Sequence, residues 1–343
     1  MHAGPVHVLS TMGFAEPLLQ KLRAVSPRLV VRQVTCHNAQ EVAQALDAET
    51  EVLYAYDLPL DLAAAPRLRW VQLHSAGADH LLRHPILAPD NPIQVTTTSG
   101  IHATPIGEFV LGCMLALIRH IPDMTCLHLE RTWPKGRWER FAPRDLRGQT
   151  VGILGYGSIG REVGRLAAAF GMRVLALKFN PERREDHGYV PPGVGDPKGE
   201  VPERFYGPEG RLDLLRESDF VVVALPLTRA TRHFVGEPEL RAMKRTAYFI
   251  NIARGDLVDE AALVRALREG WIAGAALDVF SQEPLPSDHP LWEVDPRRLI
   301  LSPHVAGFSL LYDERASDLF AENLRRYLAG EPLLNLVDKD RQY

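Results

Sequence analysis

Residues Val151–Lys178 read VGILGYGSIGREVGRLAAAFGMRVLALK, and this stretch decides the fold. The run Val151-Gly152-Ile153-Leu154 has the continuous apolar character of a parallel strand covered on both faces. It stops at Gly155-Tyr156-Gly157-Ser158-Ile159-Gly160, a complete G-x-G-x-x-G. Ile159, Val163, Leu166, Ala167 and Phe170 then recur at the spacing of one helix face. Arg173–Leu177 reads as a second strand. The three glycines suit a tight turn, a close backbone approach to a pyrophosphate and close helix–strand contact. The free N–H groups and positive dipole end of the helix would meet the phosphates. Strand, turn, helix and strand within about thirty residues is the setting that a dinucleotide fingerprint requires.

The end of the second strand departs from the NAD pattern, in which an Asp or Glu binds the ribose 2′-OH. Lys178 stands there, followed closely by Arg183 and Arg184. An acid would repel a 2′-phosphate, whereas a lysine with two arginines nearby would attract one. The cofactor is therefore expected to be NADP or NAD, with NADP favoured. Three solvated cations on a surface loop is the alternative.

The 343-residue chain is long enough for two domains, each with its own core. A net charge of −4 gives no reason to expect nucleic-acid or membrane binding. Cys36, Cys113 and Cys126 are few and unclustered, so neither a disulfide framework nor a metal site is expected. The N-terminus lacks a cationic segment followed by an apolar stretch, and a cytoplasmic protein is the expectation. The longest apolar run, Phe109–Ile118, is too short to span a bilayer.

Along the first hundred residues, Val6–Leu9, Leu29–Val34, Glu51–Ala55, Trp70–Leu73 and Ile93–Thr97 read as strands. Leu18–Val25 and Glu41–Leu46 read as helices between them, an alternation that implies a parallel sheet. Trp70–Leu73 runs into His74-Ser75-Ala76-Gly77-Ala78-Asp79. This small-residue loop could present backbone N–H groups to a carboxylate or simply pack as a tight turn. Ser99–Glu108 has turn chemistry, Phe109–Arg119 reads as a buried helix, and Thr132–Gly148 reads as an irregular crossover. Glu185–Gly210 is rich in proline and glycine and shows no helical period. A loop of that length is usually functional or mobile, near the adenosine end of the cofactor or against a second subunit. From Leu212 the alternation resumes, with strands at Phe220–Leu225, Ala247–Asn251, Gly274–Val279 and Leu299–Leu301. A helix is expected over Glu260–Arg268 and an amphipathic one over Asp313–Leu328.

In open parallel sheets ligands lie beyond the carboxyl ends of the strands. Arg254, Glu283 and His304 each follow a different strand at that end. Reduction of a 2-oxo acid needs a hydride and a proton, and histidine supplies a proton near neutral pH. A carboxylate beside it favours the imidazolium and fixes its orientation. An arginine can fork onto a substrate carboxylate and polarise the carbonyl as negative charge develops. A structural Arg–Glu pair with an unrelated histidine is the plainer alternative.

The segments HSAGAD at 74–79, GYGSIG at 155–160, ALPLT at 224–228, NIARGDLVDEAAL at 251–263, ALDVFSQEPLP at 276–286 and SPHVAG at 302–307 carry a resemblance over nearly the whole chain. Together they resemble the D-isomer-specific 2-hydroxyacid dehydrogenase family, which includes glyoxylate/hydroxypyruvate reductases and phosphoglycerate dehydrogenases. The resemblance implies an α/β protein of two doubly wound parallel-sheet domains, a Rossmann-type cofactor domain and a flavodoxin-like substrate domain with a cleft between. Residues 1–104 and 305–343 would form the discontinuous substrate domain, and residues 105–304 the dinucleotide-binding domain. It implies that Arg254 binds the substrate, that His304 is the acid–base group and that Glu283 supports it. Ser75, Ala76 and Gly77, with Arg254 and His304, would bind the substrate. Gly155, Tyr156, Gly157, Ser158, Ile159, Gly160, Lys178, Leu225, Pro226, Ala253, Arg254, Asp278 and His304 would contact the cofactor, Asp278 facing the nicotinamide carboxamide. A homodimer with a small-molecule partner, no metal, no nucleic acid and no membrane is expected. Glu283 argues against a formate dehydrogenase, whose family position carries Gln. The alternatives are a phosphoglycerate dehydrogenase and a dinucleotide-sensing corepressor-like interaction protein.

Overall fold

The computed structural model describes residues 4–341; residues 1–3 and 342–343, at the outer ends of the expected substrate domain, lie outside it. The chain divides into two compact units. The first takes the chain through His102, the short segment His187–Pro191, and everything from Ser309 onward. The second comprises Ala103–Asp186 and Pro192–Phe308.

The first unit holds β1 (Val6–Ser10), β2 (Leu29–Gln33), β3 (Val52–Ala55), β4 (Trp70–Leu73) and β5 (Gln94–Thr96) in the order β2-β1-β3-β4-β5. Every pairing is parallel, and this is the flavodoxin-like doubly wound order. Side chains alternate across the sheet, and both faces are buried. Val52, Tyr54 and Trp70 pack with Leu19 and Leu22 of α1 (Glu16–Arg23) and with the residues Leu319 and Phe320 of the C-terminal helix Tyr312–Ala329. Leu53, Ala55, Val71 and Leu73 face the other way, against Val42 and Ala45 of α2 (Ala39–Ala45).

The second unit holds β6 (Thr150–Leu154), β7 (Arg173–Leu177), β8 (Arg204–Tyr206), β9 (Phe220–Val223), β10 (Tyr248–Asn251), β11 (Gly274–Leu277) and β12 (Leu299–Leu301). Their order is β12-β11-β10-β9-β6-β7-β8, all parallel. Read from β8, this is the Rossmann order 3-2-1-4-5-6 extended by one strand. The helices here are α3 (Ala103–Ile118), α4 (Ile121–Leu129), α5 (Arg137–Phe141), α6 (Ser158–Ala169), α7 (Arg211–Glu217), α8 (Glu237–Ala242) and α9 (Glu260–Arg268). The helix Tyr312–Ala329 of the first unit is α10. α3 packs along α6, so closely that a Cβ on Gly107 would stand 2.8 Å from Glu162.

Three segments differ from the sequence reading. α3 begins at Ala103, inside the expected turn, because Pro105 occupies a first-turn position whose N–H has no helical partner. The expected crossover contains α5, whose Arg140 grips the buried Asp123 of α4 with two hydrogen bonds of 2.9 and 2.7 Å. The long excursion carries β8, a three-residue strand paired with β7.

That excursion is tied down on both sides. Arg161 of α6, fully buried, donates to the carbonyls of Asp196 and Arg184 and pairs with Asp186 at 3.2 Å. Tyr156 Oη donates to Asp196 at 2.9 Å, and Gly195 N donates to Glu162 at 2.6 Å. Within the first unit, Tyr189 N donates to Asn335 at 2.9 Å, and Gly100, at φ +97°, lies under the Tyr189 carbonyl. Among the described residues no single helix is long and apolar enough to cross a membrane; α3 and α4 would be so only jointly, and they are bent by 66°.

Candidate active site

In the second unit the chemistry-bearing residues stand at the carboxyl edge of the sheet. After β6, Gly155 turns the chain at φ +102° and lies against the backbone of Ala224 and Leu225, where a Cβ would approach to 2.6 Å. Gly160 closes on Gly155 O, where a Cβ would stand 2.2 Å away. Gly157 differs: a Cβ there would meet no protein atom within 4 Å. The middle glycine therefore leaves open space ahead of α6, whose first N–H groups have no helical acceptor. That is the cradle a pyrophosphate requires. Tyr156, by contrast, turns its phenol inward onto Asp196, and Ile159 packs against the core. From those two positions only backbone faces the cradle.

At the end of β7, Lys178 N donates to Tyr206 O at 3.0 Å, and its ammonium donates to Arg183 O at 2.6 Å. Partial burial, then the nearby Arg161 and Arg183, push the Lys178 pKa down. The lysine thus sits in a cationic corner beside the strand that receives the ribose in this fold. After β9, Leu225 is half-buried and Pro226 is exposed, its carbonyl accepting from Thr231 Oγ1 at 2.7 Å.

β10, β11 and β12 end in three loops that abut. Asn251 clamps the first: its Oδ1 accepts from Ala253 N at 3.1 Å, and its Nδ2 donates to Arg254 O at 3.0 Å. The Arg254 guanidinium donates to Ala253 O at 2.8 Å and is half-buried. The next residue, Gly255, is pressed against the second loop, and a Cβ there would stand 1.9 Å from Phe280 C. Glu283 folds back in that second loop to accept Phe280 N at 2.9 Å on Oε1. Its other oxygen, Oε2, accepts from His304 Nδ1 at 2.7 Å. Three segments far apart in sequence therefore join an arginine loop, a carboxylate and a histidine.

Asp278 holds the third loop. It is buried, and its carboxylate accepts Ser302 Oγ at 2.7 Å, Val305 N at 2.9 Å and Ala306 N at 3.0 Å. Its backbone carbonyl accepts His304 N at 2.9 Å. These bonds fix His304 in the left-handed region, φ +54°, which is uncommon for a residue other than glycine.

In the first unit the loop after β4 is equally well built. Tyr54 Oη lies 2.7 Å from His74 Nδ1, Tyr312 Oη donates to His74 O at 2.8 Å, and Thr98 N donates to Ser75 O at 2.9 Å. Ser75 Oγ donates to Gly77 O at 2.8 Å. The backbone N–H groups of Ser75, Ala76 and Gly77 donate to no other described residue. Burial lowers the His74 pKa, against the smaller opposing pull of Asp313.

Residues 111–306 match the model of the D-isomer specific 2-hydroxyacid dehydrogenase family, NAD binding domain. The chain belongs to the D-isomer specific 2-hydroxyacid dehydrogenase family. It is 38% identical over 279 residues to a glyoxylate reductase of Thermofilum pendens, spanning 81% of this chain and 77% of that one. It is 39% identical over 290 residues to a glyoxylate reductase of Aeropyrum pernix, spanning 81% and 79%. A D-isomer specific 2-hydroxyacid dehydrogenase from Xanthobacter autotrophicus Py2, solved with NADPH and MES, superposes with a TM-score of 0.79 at 32% identity, covering 99% of this chain and 100% of that one. An NADPH-dependent glyoxylate/hydroxypyruvate reductase from Sinorhizobium meliloti, solved with NADP and sulfate, gives 0.76 at 26% identity, covering 98% and 100%.

Within this family member, sequence reasoning overlooked Asn251, Ser302 and Glu260. Glu260 accepts from both Ser281 N, at 2.8 Å, and Ser281 Oγ, holding the start of the Glu283 loop. Asn251 carried a signal, because Asn characteristically bonds the backbone two residues on. Ser302 and Glu260 carried none, since their partners are distant in sequence.

Proposed function

We propose that this dehydrogenase reduces a small 2-oxo acid of the glyoxylate or hydroxypyruvate kind to the D-2-hydroxy acid with NAD(P)H. The observation that carries the reading is the 2.7 Å bond between His304 Nδ1 and Glu283 Oε2 on the sheet edge that also bears the open glycine cradle. A carboxylate only accepts hydrogen bonds, so Nδ1 carries a hydrogen and Nε2 is the nitrogen that exchanges the catalytic proton. The reduced dinucleotide, when bound, supplies the hydride. His304 delivers its Nε2 proton to the carbonyl oxygen as that oxygen gains charge, and Glu283 steadies the imidazolium beforehand. Arg254 binds the substrate carboxylate and stabilises the developing oxyanion. Ser75, Ala76 and Gly77 offer backbone N–H groups to the same carboxylate.

Gly155–Gly160 hold the pyrophosphate, with Leu225, Pro226 and Ala253 bordering the cofactor. Asp278 acts through the loop it grips. Lys178 and Arg183 favour NADP, a preference supported by the NADPH and NADP in the two solved relatives. The enzyme works as a homodimer, for which the exposed Leu129, Trp133 and Trp138 supply an apolar surface. The reading sets it in a reducing cytoplasm, which its free Cys36, Cys113 and Cys126 support. Initial rates with glyoxylate and hydroxypyruvate, each with NADPH and with NADH, test this. Rapid turnover favouring NADPH is expected; dinucleotide binding without reduction of either acid contradicts the assignment.

A further inference from the structure

The opposite edge of the second sheet holds a cavity that the proposed reaction does not use. Its volume is about 260 Å³, and it opens where four neighbouring strands begin. Gln149 precedes β6, Asp219 and Phe220 begin β9, Arg245 and Tyr248 flank the start of β10, and Ala273 precedes β11. The dinucleotide cradle and His304 follow the carboxyl ends of the same strands, so this is a separate place.

The lining has a distinctive charge pattern. Asp219 is the acid on its wall, and that carboxylate is already occupied: Oδ1 accepts Lys244 Nζ at 2.9 Å and Oδ2 accepts Thr150 N at 3.0 Å. Arg144 stands off at 4.0 Å from the same carboxylate, too far for a hydrogen bond. Lys244 thus offsets Asp219, and Arg144 and Arg245 of the lining carry the excess charge. The side chains of Arg245, Gln149, Thr246 and Tyr248 make no hydrogen bond to any other described residue, although each lines the cavity. Tyr248 is held in place by its ring, stacked on Phe220 at 5.3 Å. The result is a concave surface with excess positive charge and a convergent set of unused donors.

We propose that this cavity binds a small oxyanion of charge two or more, with Arg144 and Arg245 forking onto it and Gln149, Thr246 and Tyr248 donating. Guanidinium forks match phosphate and carboxylate oxygens alike, and the volume, just below the usual range of drug-sized sites, suits a compact ligand. The dinucleotide does not compete, since its cradle lies at the other edge.

Isothermal titration of the NADPH-loaded protein tests this, with pyrophosphate and, in a parallel arm, citrate. Loading with NADPH keeps the probes from the glycine cradle and the Lys178 corner. One site per chain is expected, weakened by added salt. The double variant Arg144→Gln, Arg245→Gln should bind at least about tenfold more weakly. Because Arg245 has no internal partner to lose, Arg245→Glu serves as a second variant, expected to abolish binding with its circular dichroism unchanged. Binding of pyrophosphate alone assigns a phosphate-bearing ligand; equal binding of citrate assigns recognition of charge, and both support the site. Absence of binding by either anion overturns the proposal. So does undiminished binding in the arginine variants.

Discussion

Substituting Gly255 by alanine tests how closely the arginine loop and the carboxylate loop depend on each other. A Cβ at Gly255 would stand 1.9 Å from Phe280 C, 2.1 Å from Ser281 N and 2.3 Å from Phe280 O. Ordinary contact begins at 3.4 Å, so one loop must recede by about 1.5 Å. Backbone atoms on both sides leave no flexible side chain to yield. The recoil falls on Phe280, whose N–H binds Glu283, and Glu283 in turn holds His304. Overpacking of this kind costs about 1–3 kcal/mol of stability. A displacement of about 1 Å in a reacting constellation costs on the order of a hundredfold in rate. Gly255→Ala should therefore lower kcat/KM for the 2-oxo acid about a hundredfold and shift the urea midpoint down. Binding of NADPH, followed by its fluorescence, should fall far less, because the Gly155–Gly160 cradle is built from other loops. A variant with wild-type kcat/KM and a wild-type midpoint would refute the claim that the abutting loops set the geometry of His304.

Other perturbations separate the remaining parts of the account. Lys178→Asp should move the ratio of kcat/KM values from NADPH towards NADH by about tenfold or more, since it replaces attraction of a 2′-phosphate by repulsion; an unchanged ratio would mean that this lysine never meets the ribose. Asp278→Asn should destabilise the protein by roughly 1–3 kcal/mol, because an amide nitrogen would face one of the N–H or O–H donors now shared by the carboxylate. Activity should fall with it, and urea unfolding unchanged from wild type would count against Asp278 as the anchor of the 302–306 loop. His74 gives a dependence on pH. Burial holds its pKa below the ordinary 6.5, so below that pH the unfolded chain binds the extra proton first. Stability should then decline as pH falls from 6.5 through the lowered folded-state value, and His74→Gln should flatten that part of the curve. Parallel wild-type and variant stability curves would remove His74 from the explanation.

The sequence made the frame of both units legible for a physical reason. Strands buried on both faces, such as Val151–Leu154 and Phe220–Val223, are continuous apolar runs, and the turns after them are marked by glycine or proline. Gly155, Gly157 and Gly160 were legible as a glycine-rich strand-to-helix turn, and the structure gives the three positions differing surroundings, two pressed against backbone and one open. Elements that depend on partners far along the chain were not readable. β8 is three residues among prolines and glycines, and only its pairing with β7 makes it a strand. The start of α3 was hidden by Pro105, which signals a turn and also suits a first helical turn. At the site, the residue types and their strand ends were visible. The grip of Asp278 on Ser302, Val305 and Ala306 was not, because it arises only when β11 and β12 lie side by side. The excursion after Lys178 looked unstructured for a similar reason, its anchors being the buried side chains of Arg161, Glu162 and Tyr156 on another segment.

Proton donation by His304 is the central step proposed, and the most direct measurement is turnover and NADPH binding of His304→Ala on one preparation. In the proposed reaction His304 Nε2 exchanges the proton, its Nδ1 being bonded to Glu283, while the glycine turn proposed for the pyrophosphate follows a different strand. The expected result is a fall in kcat with glyoxylate or hydroxypyruvate of about a hundredfold or more, with NADPH affinity within a few-fold of wild type. Retention of wild-type kcat, with NADPH bound as before, would contradict the assignment outright.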